Sequence, residues 1–400
     1  MSTLSTTAPR PPASQELKKD ALVIALVGLA HGVSHFFHMI LAPLFPWLKD
    51  AFHLSYAELG LLMSAFFVVS GIGQAYAGFV VDRIGARRVL FFGVSCLALS
   101  ALLLSVAPNY TVLMLGSILA GIGNSVFHPA DFTILNKCVH SPRISHAFSV
   151  HGICGNLGWA AAPVFLVSLA HLFDWRSALL AAAALPLLAL AVLLYYRDLL
   201  QSQQIQAPPS DTPASDAQQS KEHHLFYFLS LPAVWMCFLF FFLISMGIGG
   251  IQSFTATALR DLYGMPLSWA TAAYSAYMLS SALGMAWGGF ISAKTANHDK
   301  TIFLAFSFSA LMAFILATGI SPTPIAIGLM AALGLGAGIA GPSRDLLIRS
   351  ATPKNATGRV YGIVYSGLDI GLALSPALFG AVMDAHQPSW VFISIAVGQH

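Results

Sequence analysis

Gly78-Phe79-Val80-Val81-Asp82-Arg83-Ile84-Gly85-Ala86-Arg87-Arg88 puts one acid, three arginines and two glycines into eleven residues of a chain that is otherwise short of charge. Apolar runs flank it at 55–80 and 88–107. A helix that crosses a bilayer needs about 20 mostly apolar residues, so each run is long enough for one. The stretch therefore reads as a tight turn at a membrane surface, where glycine permits both the turn and a close approach of helices. Asp82 stands at the membrane edge, placed to cap a helix N-terminus or to pair with an arginine.

Outward from that turn the same alternation repeats. Apolar runs occupy 21–47, 55–80, 88–107, 110–135, 145–171 and 175–196, then 226–257, 267–292, 301–320, 324–343 and 358–382. A last run starts at Trp390. Of the 400 residues 57% are hydrophobic and 9% charged, where a soluble domain carries about 25% charged residues. Mean hydropathy is +0.74. The predicted fold class is an all-α polytopic membrane protein of twelve spans in two six-helix parallel repeats. Four segments are expected: a cytoplasmic N-terminal tail 1–20, a six-helix half 21–196, a cytoplasmic linker 197–225 rich in Gln, Ser, Pro and Asp, and a second half 226–400. The last run has 11 residues, too few for a hydrocarbon core about 30 Å thick. The expectation is a truncated or short twelfth span.

The same numbers exclude other classes. A net charge of +3 without a basic run argues against nucleic-acid binding. Uniform apolar blocks are not the dyad alternation of a membrane β-barrel. Cys96, Cys138, Cys154 and Cys237 are scattered, suggesting neither a disulfide framework nor a zinc ribbon. The polar N-terminus carries no cleavable signal peptide in this reading.

Charge also orients the chain. With the N-terminus inside, 16 of the 19 Lys and Arg fall on inner segments and only Lys49, Arg176 and Arg260 outside. The positive-inside rule then predicts a multi-pass protein of the cell inner membrane with a cytoplasmic N-terminus. The halves repeat as well. A shift of 213 residues brings Gly121 and Gly123 onto Gly334 and Gly336, Pro129 onto Pro342, Gly158 onto Gly371 and Asn156 onto Asp369. Parallel repeats of this kind mark transporters that rock one half against the other around a midplane site.

The 78–88 turn resembles the G-x-L-A-D-R-x-G-R-K loop of the major facilitator superfamily. Two further segments, Phe127-His128-Pro129-Ala130-Asp131 and the Gly155-Asn156-Leu157-Gly158 run ending at Pro163, resemble its fosmidomycin-resistance-like branch and the drug:proton antiporters. The resemblance implies the twelve-span major facilitator fold, a cavity lined by spans 1, 4, 7 and 10, and a latch between the halves. Gly78, Asp82, Arg83, Gly85, Arg87 and Arg88 would form that latch, with Asp131 joining it. Arg344 and Asp345 at the end of span 10 read as a cytoplasmic gate.

Span 1 carries His31, His35 and His38, whose spacings of four and three put them on one helical face. Imidazoles within a membrane are costly and are functional or partnered. Three readings stand: substrate or proton binding, structural hydrogen bonding between helices, and binding of a transition metal. Against the metal, His128 and Asp131 are expected nearer the cytoplasm than the span 1 histidines. Asp369 is the acid deepest within a span, suited to load and release a proton or to make an interhelical hydrogen bond. His35 and His151 are candidate relay partners. His31, His35, His38, Asn156 and Gln252 are the candidate cavity residues, with Ser253, Tyr274 and Tyr277 weaker ones. No Lys or Arg is expected at mid-membrane, which favours neutral, amphipathic or weakly ionised substrates.

The function expected is proton-coupled transport of a small organic or toxic compound by alternating access, with efflux as the first direction. The alternatives are import of a small nutrient or of a metal or its complex, and a membrane sensor that transports nothing. No enzyme motif, cofactor or resident metal is expected, and no G-x-x-x-x-G-K-[ST] run occurs. The partners are the substrate, protons and the bilayer, with a monomer as the assembly.

Overall fold

The computed structural model describes residues 13–54, 56–201, 227–352 and 357–398. Expectations for the first twelve residues and for most of the linker lie outside these. The described residues form α1 (Ala13–His38), α2 (Phe45–Phe52), α3 (Tyr56–Ile84), α4 (Ala86–Ser105), α5 (Tyr110–Asn124), α6 (Phe127–Cys138), α7 (Ile144–Leu172) and α8 (Trp175–Tyr195). They continue with α9 (Pro232–Tyr263), α10 (Leu267–Lys294), α11 (His298–Ala317), α12 (Thr323–Ala351), α13 (Thr357–Asp384) and α14 (Ser389–Gly398). Nine candidate spans among them are long and apolar enough to cross a membrane by length and composition alone.

Twelve spans result once α5 and α6 are taken as one and α2 as a short extra helix. Three details depart from the expected boundaries. Helix α1 starts at Ala13, so the second part of the 1–20 segment is helical; Gln15-Glu16-Leu17-Lys18-Lys19 are good helix formers. The first span ends at His38 and not near 47, because Pro43 and Pro46 start a 3-10 turn and then α2. The fourth span is broken between Asn124 and Phe127. Pro129 has no N–H to give the Ser125 carbonyl, and its ring crowds that carbonyl.

Helix packing repeats the sequence symmetry. In the first six spans α1 lies along α7, α3 along α5, and α4 along α8; in the last six α9 lies along α13, α10 along α12, and α11 along α14. Two seams join the sets, α3 with α13 and α7 with α10. These are equivalent pairs, the second and eleventh spans and the fifth and eighth. Large apolar side chains such as Leu99, Val164, Phe303 and Leu283 point outward. Asp131, Asp369, His31, His35, His128 and His151 point inward, with Asp131 and Asp369 fully buried. That inside-out polarity is the arrangement expected in lipid.

Asp20 near the start of α1 accepts from the Arg143 Nε at 2.5 Å and from the His140 backbone N–H at 3.1 Å. This pins α1 to the turn before α7.

Candidate functional site

The break before α6 decides the site's geometry. By restarting the helix at Phe127 it swings His128 and Asp131 against α1, level with the span 1 histidines rather than nearer the surface. His31 Nδ1 lies 3.3 Å from Asp131 Oδ2, and His151 Nε2 of α7 lies 3.2 Å from the same oxygen. The His31 and His151 rings stack at 3.5 Å between centroids, and His31 and His35 are 4.2 Å apart. His128 is 5.2 Å from His31. Four imidazoles and one carboxylate from three helices therefore form one buried cluster. Gly155 leaves it room, since a Cβ there would stand 2.7 Å from His35 Nδ1.

His38 is engaged differently. The Trp159 indole N–H donates to its Nδ1 at 3.2 Å, and indole is a donor only. His38 Nε2 must then carry the proton, which it gives to Asn124 Oδ1 at 3.0 Å. Ser34 donates to the same oxygen at 2.6 Å. Asn124 Nδ2 donates in turn to Ser70 at 2.8 Å, and Ser70 donates to Asp369 Oδ2 at 2.7 Å. Gln74, one turn along α3, donates to the same carboxylate oxygen at 3.0 Å. Its Oε1 faces His128 Nδ1 at 2.7 Å. Asp369 is thus the meeting point of two hydrogen-bonded chains, and both reach it across the α3–α13 seam. Its Oδ1 is buried with no partner among the described residues.

Ser70, Gln74 and Asn124 were not singled out in the sequence. The signal was there: two polar residues four apart in an apolar run, and an Asn inside span 4.

A cavity of about 100 Å³ lies between the two sets of six spans. His31, His35, His128, His151 and Asn156 line one side, and Tyr277, Arg344, Asp345 and Tyr365 line the other. Asn156 donates to Ser281 at 3.2 Å across it. Arg344 sits deeper than the terminal gate expected for it. The expectation that no Arg reaches the cavity is corrected, because span 10 runs to Ala351 and leaves Arg344 two turns inside. Arg344 is not a free cation: its Nε donates to Asp345 at 2.9 Å, and the Tyr365 hydroxyl donates to the same carboxylate at 2.8 Å. Gln252 and Tyr274 are not among the cavity residues, whereas Tyr277 is. Ser253 is exposed.

The 78–88 turn takes part in the α3–α13 seam. Asp82 accepts from the Gly358 and Arg359 backbone N–H groups at 3.1 and 3.2 Å and from Arg359 Nε at 2.9 Å. It both caps α13 and pairs with an arginine. Arg359 was not foreseen as that partner, and Asp131 does not join them. A Cβ at Gly78 would come 2.2 Å from the Gly358 carbonyl oxygen, so only glycine allows this approach. Gly85 takes φ +94°, a conformation that favours glycine. Arg87 donates to the Arg197 carbonyl at 3.0 Å, while Arg83 and Arg88 are exposed. On the other seam Ser145 donates to the Gly289 carbonyl at 2.8 Å and meets the Ser292 hydroxyl.

The profile described as Major Facilitator Superfamily matches residues 27–376 and again 300–398. A probable nitrate/nitrite transporter NarK2 of Mycobacterium tuberculosis is 24% identical over 339 residues, covering 83% of this chain and 81% of the relative. The fosmidomycin resistance protein of Escherichia coli is 26% identical over 143 residues, 36% of this chain and 35% of that protein. Two uncharacterised transporters of Bacillus subtilis are matched over only 34% and 25% of their length. The solved structure of the proton:xylose symporter XylE superposes with a TM-score of 0.77 at 14% identity, over 97% of this chain and 94% of XylE.

Proposed function

The chain belongs to the major facilitator superfamily, and from that premise we propose that it is a proton-coupled secondary transporter, exporting a small organic or toxic compound by alternating access. It works as a monomer in the cell inner membrane with its N-terminus in the cytoplasm. The observation that carries this reading is Asp369, a fully buried acid on α13 whose only described hydrogen-bond donors, Ser70 and Gln74, belong to α3. As a carboxylate, Asp369 accepts strongly from both and holds the seam closed, because charge-assisted hydrogen bonds are roughly twice as strong as neutral ones. A proton on the unpartnered Oδ1 removes that assistance and lets the seam open. Asp82 and Arg359 fasten the same seam at its cytoplasmic end. His35 and His151 stand in the cavity wall as relay residues, and the partial similarity to a fosmidomycin resistance protein supports export.

The test is growth of efflux-deficient cells expressing the protein or Asp369→Asn across a panel of antibiotics and metal salts. Protection from particular compounds, lost in Asp369→Asn at equal membrane levels, is the expected result. A well-inserted protein that protects against nothing and moves no protons would overturn the proposal.

A further inference from the structure

We propose that His31, His35 and His128, backed by Asp131 and His151, form a coordination site for one divalent first-row transition-metal ion, and that this ion is the toxic compound exported. The cargo part rests on the transporter reading above; the site does not. Ligand atoms of His31, His35 and His128 all lie within 4.8 Å of one another, as do those of His31, Asp131 and His151. Zinc binds imidazole nitrogen at about 2.0–2.1 Å, so ligand atoms around one ion stand roughly 3.4 Å apart. Small ring rotations close that gap. Imidazole suits Zn²⁺, Co²⁺ and Ni²⁺ and not Mg²⁺ or Ca²⁺.

Two observations point to a ligand beyond the proximity of the rings. Of the His35 ring, a side chain only 6% exposed, neither nitrogen has a side-chain partner among the described residues, and its contact with the Gly155 backbone falls short of full hydrogen-bond geometry. Leaving a buried polar group unpaired is costly, and an ion between the rings removes that cost. The second is the orientation of His128. Gln74 Nε2 is committed to Asp369, so Gln74 Oε1 must accept, and His128 Nδ1 is the donor. The neutral ring then keeps its lone pair on Nε2. A metal-binding histidine usually donates from its other nitrogen to a fixed acceptor in this way, which holds the ring's orientation. Here it links the proposed site to Asp369 through one side chain.

Size and charge agree. A cavity of about 100 Å³ falls short of the 300–1,000 Å³ typical of drug-sized ligands, but it holds an ion with a few waters. The titratable groups facing the cluster are His38 on α1, Asp131 on α6, His151 on α7, Tyr277 on α10, Arg344 and Asp345 on α12, and Tyr365 on α13. Arg344 and Asp345 neutralise each other, which leaves the Asp131 carboxyl as the remaining acid at the cluster.

The experiment titrates the full-length protein in nanodiscs with Co²⁺, read by its ligand-field absorption. Proteoliposomes carrying an internal zinc-sensitive dye then measure Zn²⁺ movement under an imposed pH gradient. One Co²⁺ per chain, displaced by Zn²⁺, is expected. Affinity should fall on the order of 100-fold in the His31→Ala/His35→Ala double variant and in the milder His35→Asn, with thermal melts showing that both are folded. Zn²⁺ movement should follow the gradient in the wild type alone. A folded wild type that binds no Co²⁺ overturns the site even if an organic compound is transported. Co²⁺ binding with no gradient-driven Zn²⁺ movement overturns the cargo assignment, and the antibiotic panel then decides separately whether the protein transports anything.

Discussion

Asn124 makes three side-chain hydrogen bonds to two other helices: it accepts from Ser34 and His38 of α1 and donates to Ser70 of α3, which in turn holds Asp369 of α13. Asn124→Ala would leave two donors facing no acceptor, and we expect a loss of about 1–2 kcal/mol, measured by thermal unfolding in a fixed detergent. Gln74→Ala separates the two residue-level roles. It deprives His128 of its acceptor and Asp369 of one donor, so both Co²⁺ affinity and proton-driven flux should drop about ten-fold or more, while Ser70 keeps the seam partly held. Unchanged affinity in Gln74→Ala would mean that His128 is not oriented through it. At this scale the sequence was partly legible. Asp369 stood out because charge within an apolar run is rare. Its partners did not, because Ser70 lies 299 positions away and Ser and Gln give no comparable signal.

At the scale of the element, the broken fourth span is the feature on which the site depends. Pro129→Ala would restore the missing hydrogen bond and favour a continuous helix from Tyr110 to Cys138. The protein should be as stable as the wild type or more so, yet His128 and Asp131 would leave their places against α1. Raised melting temperature with lost metal binding and lost flux is the expected pair of results. Gly78→Val tests the opposite seam. Its side chain would meet the Gly358 carbonyl, hold α3 away from α13 and break the Asp82–Arg359 pair. Spin labels at the Gly85 end of α3 and the Thr357 end of α13 should report a longer distance than in the wild type. The glycines of this turn were readable in the sequence as sites of close approach. What they approach was not, because a glycine signal names no partner.

For the whole molecule, the polar contacts between the two sets of spans concentrate at mid-depth and on the face carrying Gly85, where Asp82, Ser145 and Arg349 each reach across. The described conformation is therefore closed on that face. Green fluorescent protein fused after Gln201 should fluoresce and alkaline phosphatase there should be inactive, if that face is cytoplasmic; the reverse pattern would invert the topology. Span number and repeat symmetry are properties the amino-acid sequence determined by itself. Each is read from local residues, apolar length against bilayer thickness and the spacing of glycines and prolines, and needs no knowledge of contacts. The tertiary structure alone decided that His128 and Asp131 share the depth of His31, that Arg344 faces the cavity, and that α3 supplies the donors for Asp369. Those outcomes depend on where a proline breaks a helix and on which faces of distant helices cross. Hydropathy carries neither kind of information.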